Sequence, residues 1–411
     1  MYPPPRDVSI IRQAFVLEWG AVLGQKRFFR RFLEANPDRV HFAAHSHHYW
    51  PDVTFDAQVA AWELAAREAD QKWDFVFGEL MPKAQAHVAR ILALPDPSTL
   101  AFAPNTHELV SRVVSALPVK ADGPVRILTT DGEFHSFARQ SARLEESGEA
   151  TVIRVPVDPI DSFVERFIVQ AEAEHFDLVL VSHVFFGSGY VVPDLGALVH
   201  AVKSRDTFFI VDGYHGFMAV PTSLAPLAER VFYVSGGYKY AMSGEGACFL
   251  HAPPGYGPRP RNTGWFASFG ALAGPRSDVV GYAPSGARFL GATFDPTGLH
   301  RFVAVMDWLD REGITVDAIH AHVLALQTRF VAALDAAKLP FSSRDLMVGI
   351  DRDRGHFLTF RTKDAAKLYE RLLAGNVVTD VRGDRLRVGF GLYHDESDVD
   401  RGVERMAKIL A

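Results

Sequence analysis

The chain has a single cysteine, Cys248, among its 411 residues. One thiol excludes an internal disulfide and a multi-thiolate metal site, and it suits a reducing compartment. Positive charge is not in surplus either: 43 Lys and Arg stand against 49 Asp and Glu, a formal net charge of −6. Without a basic excess, neither nucleic acid nor an anionic membrane is expected as a partner. No apolar run reaches the roughly 18 residues that cross a bilayer. The start, Met1-Tyr-Pro-Pro-Pro-Arg-Asp7, lacks the basic-then-apolar order of a secretory leader. No internal repeat or low-complexity tract is seen. These absences lead to the expectation of a soluble, cytoplasmic protein, too long for one ordinary core.

What is present is an alternation of apolar strand-like runs and helical patterns. The strand candidates are 100–103, 125–129, 151–155, 178–182, 208–211, 231–234 and 247–251, with helical stretches at 108–117, 137–147, 161–175 and 194–204 between most of them. Such alternation predicts a mostly parallel α/β sheet covered on both faces, with ligands at the C-terminal ends of the strands. Ahead of it, 10–33 and 54–94 read as helical and 40–44 as a short strand. A loop-rich stretch, 253–295, is followed by helical patterns at 297–313 and 316–337. Strands at 356–361 and 385–390 and helices near 364–374 and 396–410 then predict a small α+β unit. The expected division is an N-terminal segment with a substrate loop (1–50), a large domain (51–296) and a small C-terminal domain (297–411).

The chemistry concentrates at strand ends. Phe208-Phe-Ile-Val211 runs into Asp212-Gly-Tyr-His215, and the next strand, Val231-Phe-Tyr-Val234, runs into Ser235-Gly-Gly-Tyr-Lys-Tyr240. An acid at one strand end and a lysine at the next is what pyridoxal phosphate (PLP) requires. The amine of Lys239 forms a Schiff base (an aldimine) with the aldehyde, and the Asp212 carboxylate keeps the pyridine nitrogen protonated. Apart, each would read as a turn aspartate and a surface lysine. His215 is either an ordinary turn histidine or a group that orients Asp212. Asn105-Thr-His-Glu108 opens an apolar helix, which suits either a plain cap or a phosphate at a helix N-terminus. Phe134, in Thr130-Asp-Gly-Glu-Phe-His-Ser136, is placed to stack on the pyridine ring, with His135 as the alternative. His183 is either a satisfied buried histidine or a neighbour of the cofactor's phenolate. Arg387, in Arg385-Leu-Arg-Val-Gly389, is a guanidinium in an apolar strand, so it needs an anion: a substrate carboxylate, or an acidic partner within the small domain. No carboxylate pattern accompanies His45, His47 and His48, so no metal site is expected there. Cys248 lies inside an apolar strand and reads as a small buried hydrophobe.

From about Val40 to the C-terminus these motifs resemble the class V aminotransferase group of fold-type-I PLP-dependent enzymes, and within it kynureninase. The resemblance rests on Ser182-His-Val184 with Ser188-Gly189, on Tyr238-Lys-Tyr240, on Gly264-Trp-Phe266, and on Arg387-Val-Gly-Phe-Gly-Leu-Tyr393. It implies Lys239 as the Schiff-base lysine, Asp212 as the pyridine partner and Phe134 as the stacking ring. Thr106 and His107 would hold the phosphate through backbone N–H groups, together with the Tyr238 hydroxyl. Trp265 and Thr293 would reach the phosphate of a neighbouring subunit, which implies an obligate homodimer with shared sites. Arg387 would bind the α-carboxylate of an amino-acid substrate.

Three departures stand out. Phe185-Phe186 replaces the family's Asn-Tyr pair, leaving His183 or His215 to meet the phenolate. Arg288-Phe-Leu-Gly291 lacks the substrate-recognising asparagine. Ala44-His-Ser-His-His-Tyr-Trp50 replaces the N-terminal Gly-Asn-Ser-Leu-Gly type of loop, which makes His45 and His47 candidate substrate groups. The expectation is a kynureninase-like lyase or hydrolase on an unidentified amino acid, with a class V aminotransferase or epimerase as the alternative. A catalytically silent PLP-fold binding module is the reading from another class.

Overall fold

The computed structural model describes residues 24–119, 123–271 and 278–411. The strands, in chain order, are β1 (Val40–His41), β2 (Leu100–Ala103), β3 (Val125–Thr130), β4 (Ala150–Val155), β5 (Leu178–Ser182), β6 (Phe208–Asp212), β7 (Val231–Gly236), β8 (Cys248–His251), β9 (Phe357–Arg361), β10 (Val377–Val378), β11 (Asp380–Arg382) and β12 (Arg385–Gly389). Seven form one sheet in the order β2-β8-β7-β6-β5-β3-β4. β4, β3, β5, β6 and β7 are mutually parallel, while β8 runs antiparallel to both β7 and β2.

Burial explains the strand sequences. Every residue of β5 is buried, as are the first four of β6. Covered on both faces, these strands are continuous apolar runs instead of alternating ones. Register then levels the strand ends, because Ser182 pairs with Asp212, and Asp212 with Val234. β2 runs in the same direction as β7, since β8 opposes both, so Ala103 and the helix that follows it reach the same edge of the sheet.

The smaller sheet has the order β11-β12-β9, and β1 pairs in parallel with β10. Around it a second core gathers Val40, Phe42, Phe330, Phe360, Leu386, Val388 and Phe390. The helix Thr297–Glu312 packs on the first core through Phe302, Met306 and Trp308. The helix Val316–Ala337, capped by Thr315 Oγ1 accepting from Ala318 N, serves both cores. Ala318 and Ile319 lie in the first, and Val323, Leu326, Phe330 and Leu334 in the second.

Some expectations change. The strand expected over 40–44 is only Val40–His41, and β10 and β11 were not expected at all. Strands of two or three residues are too short to show a period. Of the helical pattern at 10–33, residues 10–23 lie outside the described residues, while Arg30–Ala35 is helical. Among the described residues no helix is long and apolar enough to cross a membrane.

Candidate active site

At the C-terminal edge of the large sheet lies a cavity of about 540 Å³. Asn105, Thr106, His107, Phe134, Asp212, His215, Tyr238 and Lys239 line it, together with Phe186, Tyr214 and Cys248. Eight of the residues singled out in the sequence therefore share one wall system. Strand topology brings them there from four separate segments.

Lys239 stands in the tight turn after β7, where Gly237 N donates to Ala247 O and Ser243 N to Gly237 O, both at 2.9 Å. A side chain at Gly236 would meet Cys248 Sγ at 2.3 Å, and one at Gly237 would meet Ser243 Oγ at 2.1 Å. Glycine is what lets this backbone pass so close to its neighbours. Lys239 is buried, with Nζ 2.9 Å from His215 Nε2 and 4.6 Å from the centre of the Tyr214 ring. Burial pulls its pKa down to about 7; Asp212 opposes that shift and Arg387 adds to it. His215 is held well below the usual histidine range by burial and then by the Lys239 charge. It is therefore neutral at pH 7 and accepts from, or donates to, the lysine according to tautomer.

Asp212 closes β6, and its Oδ1 accepts from Tyr214 N at 2.9 Å. Burial raises its pKa, while that N–H and the Lys239 charge work the other way. Phe134 precedes the helix His135–Glu146, and Lys239 Nζ lies 5.4 Å from its ring centre. The helix Thr106–Ser115 points its N-terminus at the cavity. Asn105 is its cap, with Oδ1 accepting from Glu108 N at 2.9 Å and Nδ2 donating to Glu108 Oε1 at 3.0 Å. Both ends of the Asn105 amide are thus engaged by the helix itself. Tyr238 is half-buried, and burial pushes its hydroxyl up to about 12.

Six other candidates lie off the cavity lining. His183, directly after β5, is buried, with Nδ1 unpartnered among the described residues, and burial lowers its pKa to about 4. His45 is fully buried and stacked on Phe357 at 4.8 Å, and among the described residues neither ring nitrogen has a hydrogen-bond partner. His47 is exposed, its ring 5.6 Å from that of Tyr238. Trp265 and Thr293 are exposed, Trp265 lying against Phe266 at 4.3 Å. Arg387 is 3% exposed; it donates to Asp380 and to the Phe186 carbonyl, and the Phe186 ring lies on the cavity side. Phe185 turns away from the cavity, stacking with Tyr190, so Phe186 alone of that pair reaches it. Arg288 is buried on the Pro253, Tyr256 and Ser285 carbonyls.

Residues to which the sequence gives no role are Tyr214, Asp380 and Glu133. Tyr214 lies within the Asp212–His215 motif, where no sequence signal of its own marks it. Asp380 sits in a strand too short to be seen. Glu133 precedes Phe134 in a turn that the strand-end rule places at the crevice, but its residue type alone assigns it no role.

The chain shares its architecture with solved PLP-dependent enzymes of fold type I. The cystine C–S lyase C-DES, in complex with its product cysteine persulfide, superposes with a TM-score of 0.76 at 17% identity, over 91% of this chain and 99% of that one. The cysteine desulfurase CsdA from Escherichia coli gives 0.75 at 17%, over 91% and 95%. The apo cysteine desulfurase of Thermococcus onnurineus NA1 gives 0.74 at 15%, over 93% and 97%. Within that class, residues 319–406 match the family model described as the kynureninase C-terminal domain. No curated protein matches the chain in sequence.

Proposed function

We propose that the protein is a PLP-dependent enzyme acting on an amino acid, a lyase or hydrolase of the kynureninase type. The observation that carries this is Lys239, buried with its pKa lowered to about 7 and sharing one cavity with Asp212. A lysine so depressed supplies a neutral amine near neutral pH, which is what an aldehyde partner and a proton shuttle both need. The cavity fits the cofactor. It holds the amine, a carboxylate on the neighbouring strand, an aromatic ring and a helix N-terminus, the four contacts an aldehyde, a pyridine nitrogen, a ring face and a phosphate require.

When bound, pyridoxal phosphate would supply the electron sink that makes bonds at the substrate Cα labile. Lys239 would hold it and move the Cα proton, with His215, 2.9 Å away, tuning the charge of the amine. Asp212 would keep the proton on the pyridine nitrogen. Phe134 would cover one ring face, and the N–H groups of Thr106 and His107 with the Tyr238 hydroxyl would take the phosphate. Trp265 and Thr293, exposed in one chain, would complete the site of a second copy in a homodimer. A cytoplasmic location belongs to the same reading and rests on the lone, buried thiol.

The match over residues 319–406 favours kynureninase-type cleavage over transamination or epimerisation. Persulfide chemistry on a protein thiol is disfavoured, since burial pushes Cys248 up to about 11. A cofactor-holding module without turnover is the second reading, favoured by Arg387 being already engaged by Asp380.

The test is the visible and near-ultraviolet absorption of the purified protein with a panel of amino acids, kynurenine among them. The expected result is a band lost on borohydride reduction and absent from Lys239→Ala. One amino acid should perturb it and yield a side-chain cleavage product. A keto acid that keeps the whole carbon skeleton of the amino acid, with its nitrogen left on the cofactor, would move the assignment to transamination. A protein that PLP cannot colour would overturn the enzyme reading.

A further inference from the structure

Glu133 is a buried carboxyl that the proposed chemistry does not use. It stands 4% exposed in the loop after β3, beside Phe134. Its Oε1 accepts from Thr130 Oγ1 at 2.7 Å and from Ser182 N at 3.2 Å, and its Oε2 accepts from Ser182 Oγ at 2.5 Å. Ser182 ends β5 and is the register partner of Asp212, and His183 N donates to Asp212 O at 2.9 Å. Glu133 therefore grips, through both the backbone and the side chain of Ser182, the strand end that abuts Asp212.

We propose that Glu133 is a positioning residue for Asp212, fixing the β5 end against β6 and placing a second carboxyl on the Ser182 that pairs with Asp212. This rests on the reading of Asp212 as the partner of a pyridine nitrogen. Among the described residues the hydrogen-bond partners of Glu133 are hydroxyls and a backbone N–H, with no cation. Three donors favour the carboxylate, while burial, and then the Asp212 charge, push its pKa up to about 7. When ionised, it raises the proton affinity of any base that Asp212 faces, since a nearby negative charge favours the protonated form. Desolvation makes that effect larger than it would be at a surface.

The experiment compares Glu133→Gln, Glu133→Asp and Asp212→Asn in the full chain, with and without PLP. In the unliganded protein, a double-mutant cycle on denaturant stability at neutral pH should show Glu133→Gln and Asp212→Asn to be non-additive, because the two carboxyls repel. In the PLP-loaded protein, the pH midpoint of the visible band should fall in Glu133→Gln by a shift equivalent to about threefold in proton affinity. Glu133→Asp should restore part of it. If Glu133→Gln does not fold, Thr130→Val and Ser182→Ala, each removing a donor and so favouring the neutral acid, should move the midpoint in the same sense. Additive stabilities with an unchanged midpoint would overturn the proposal. A parent protein that takes up no PLP would overturn the cofactor reading instead, leaving the unliganded cycle to decide the role of Glu133.

Discussion

Asp380 on β11 faces Arg387 across the antiparallel pair and accepts from its Nη2, while Nη1 donates to the Phe186 carbonyl. Among the described residues, only Nε of that guanidinium lacks a partner. An arginine expected to wait for a substrate carboxylate is thus neutralised from within its own sheet. Breaking a buried pair by removing one member costs about 3–5 kcal/mol, because the other charge is left without compensation. Asp380→Asn should therefore lower stability by that order, and a carboxylate that reaches Arg387 should recover part of the loss. Thermal denaturation with and without amino-acid ligands checks this; equal melting of parent and variant would show that the pair holds nothing.

Lys239 carries a pH signature. Burial lowers its pKa from 10.5 to about 7, so between those values the folded protein binds fewer protons than the unfolded chain. Stability from this group accordingly rises with pH across that window, and its penalty is fully present below pH 7. Lys239→Met removes the charge and should be more stable than the parent below pH 7, with the difference closing towards pH 10.5. Denaturant titrations across that range read it directly. A difference that does not change with pH would mean that the amine is not desolvated. The same depression makes the rate of PLP uptake by the parent rise with a midpoint near 7, as stopped-flow absorbance would follow.

How far the sequence revealed this arrangement depended on length and period. β5, β6 and β7 are runs of four or more buried residues, and their polar ends, His183, Asp212 and Lys239, stood out against them. The helix over 106–115 was marked by its own cap, Asn105, and by Glu108. What escaped depends on pairing between distant segments. Asp380 meets Arg387 only because two short strands align, and Phe186 screens Arg387 only because the two sheets approach each other there. Nothing in the order of residues records such encounters. His45 looked like a substrate group from its crowded loop, yet it is packed on Phe357 off the cavity lining.

Gly213 separates Asp212 from Tyr214, and a Cβ built there would lie 2.0 Å from Tyr233 Cζ and Oη. Tyr233 is fully buried, so its ring has nowhere cheap to go. Gly213→Ala should cost about 1–3 kcal/mol of stability through overpacking. Since the strain falls on the end of β6, it should also displace Asp212 and weaken PLP binding at least about tenfold, a loss of about 1.4 kcal/mol. Equilibrium dialysis against PLP measures the second effect separately from the first. Unaltered binding in a destabilised variant would show that Asp212 is positioned independently of Gly213.

Cys248 separates the proposed chemistry from that named for the solved structures, two of which are cysteine desulfurases. Its sulfur lies in β8, buried, 3.4 Å from the Tyr214 hydroxyl. Burial holds the thiol up to about 11, despite the Tyr214 hydrogen bond and the nearby Lys239 charge. At pH 7 the thiolate fraction at that pKa is on the order of one in ten thousand, too little for an attacking nucleophile. Incubation of the PLP-loaded protein with cysteine should therefore leave Cys248 without added sulfur by intact-protein mass spectrometry. Cys248→Ala should keep the same reaction products as the parent, with any rate change traceable to packing against Tyr214. A persulfide on Cys248, lost in that variant together with turnover, would instead place sulfur transfer at this thiol.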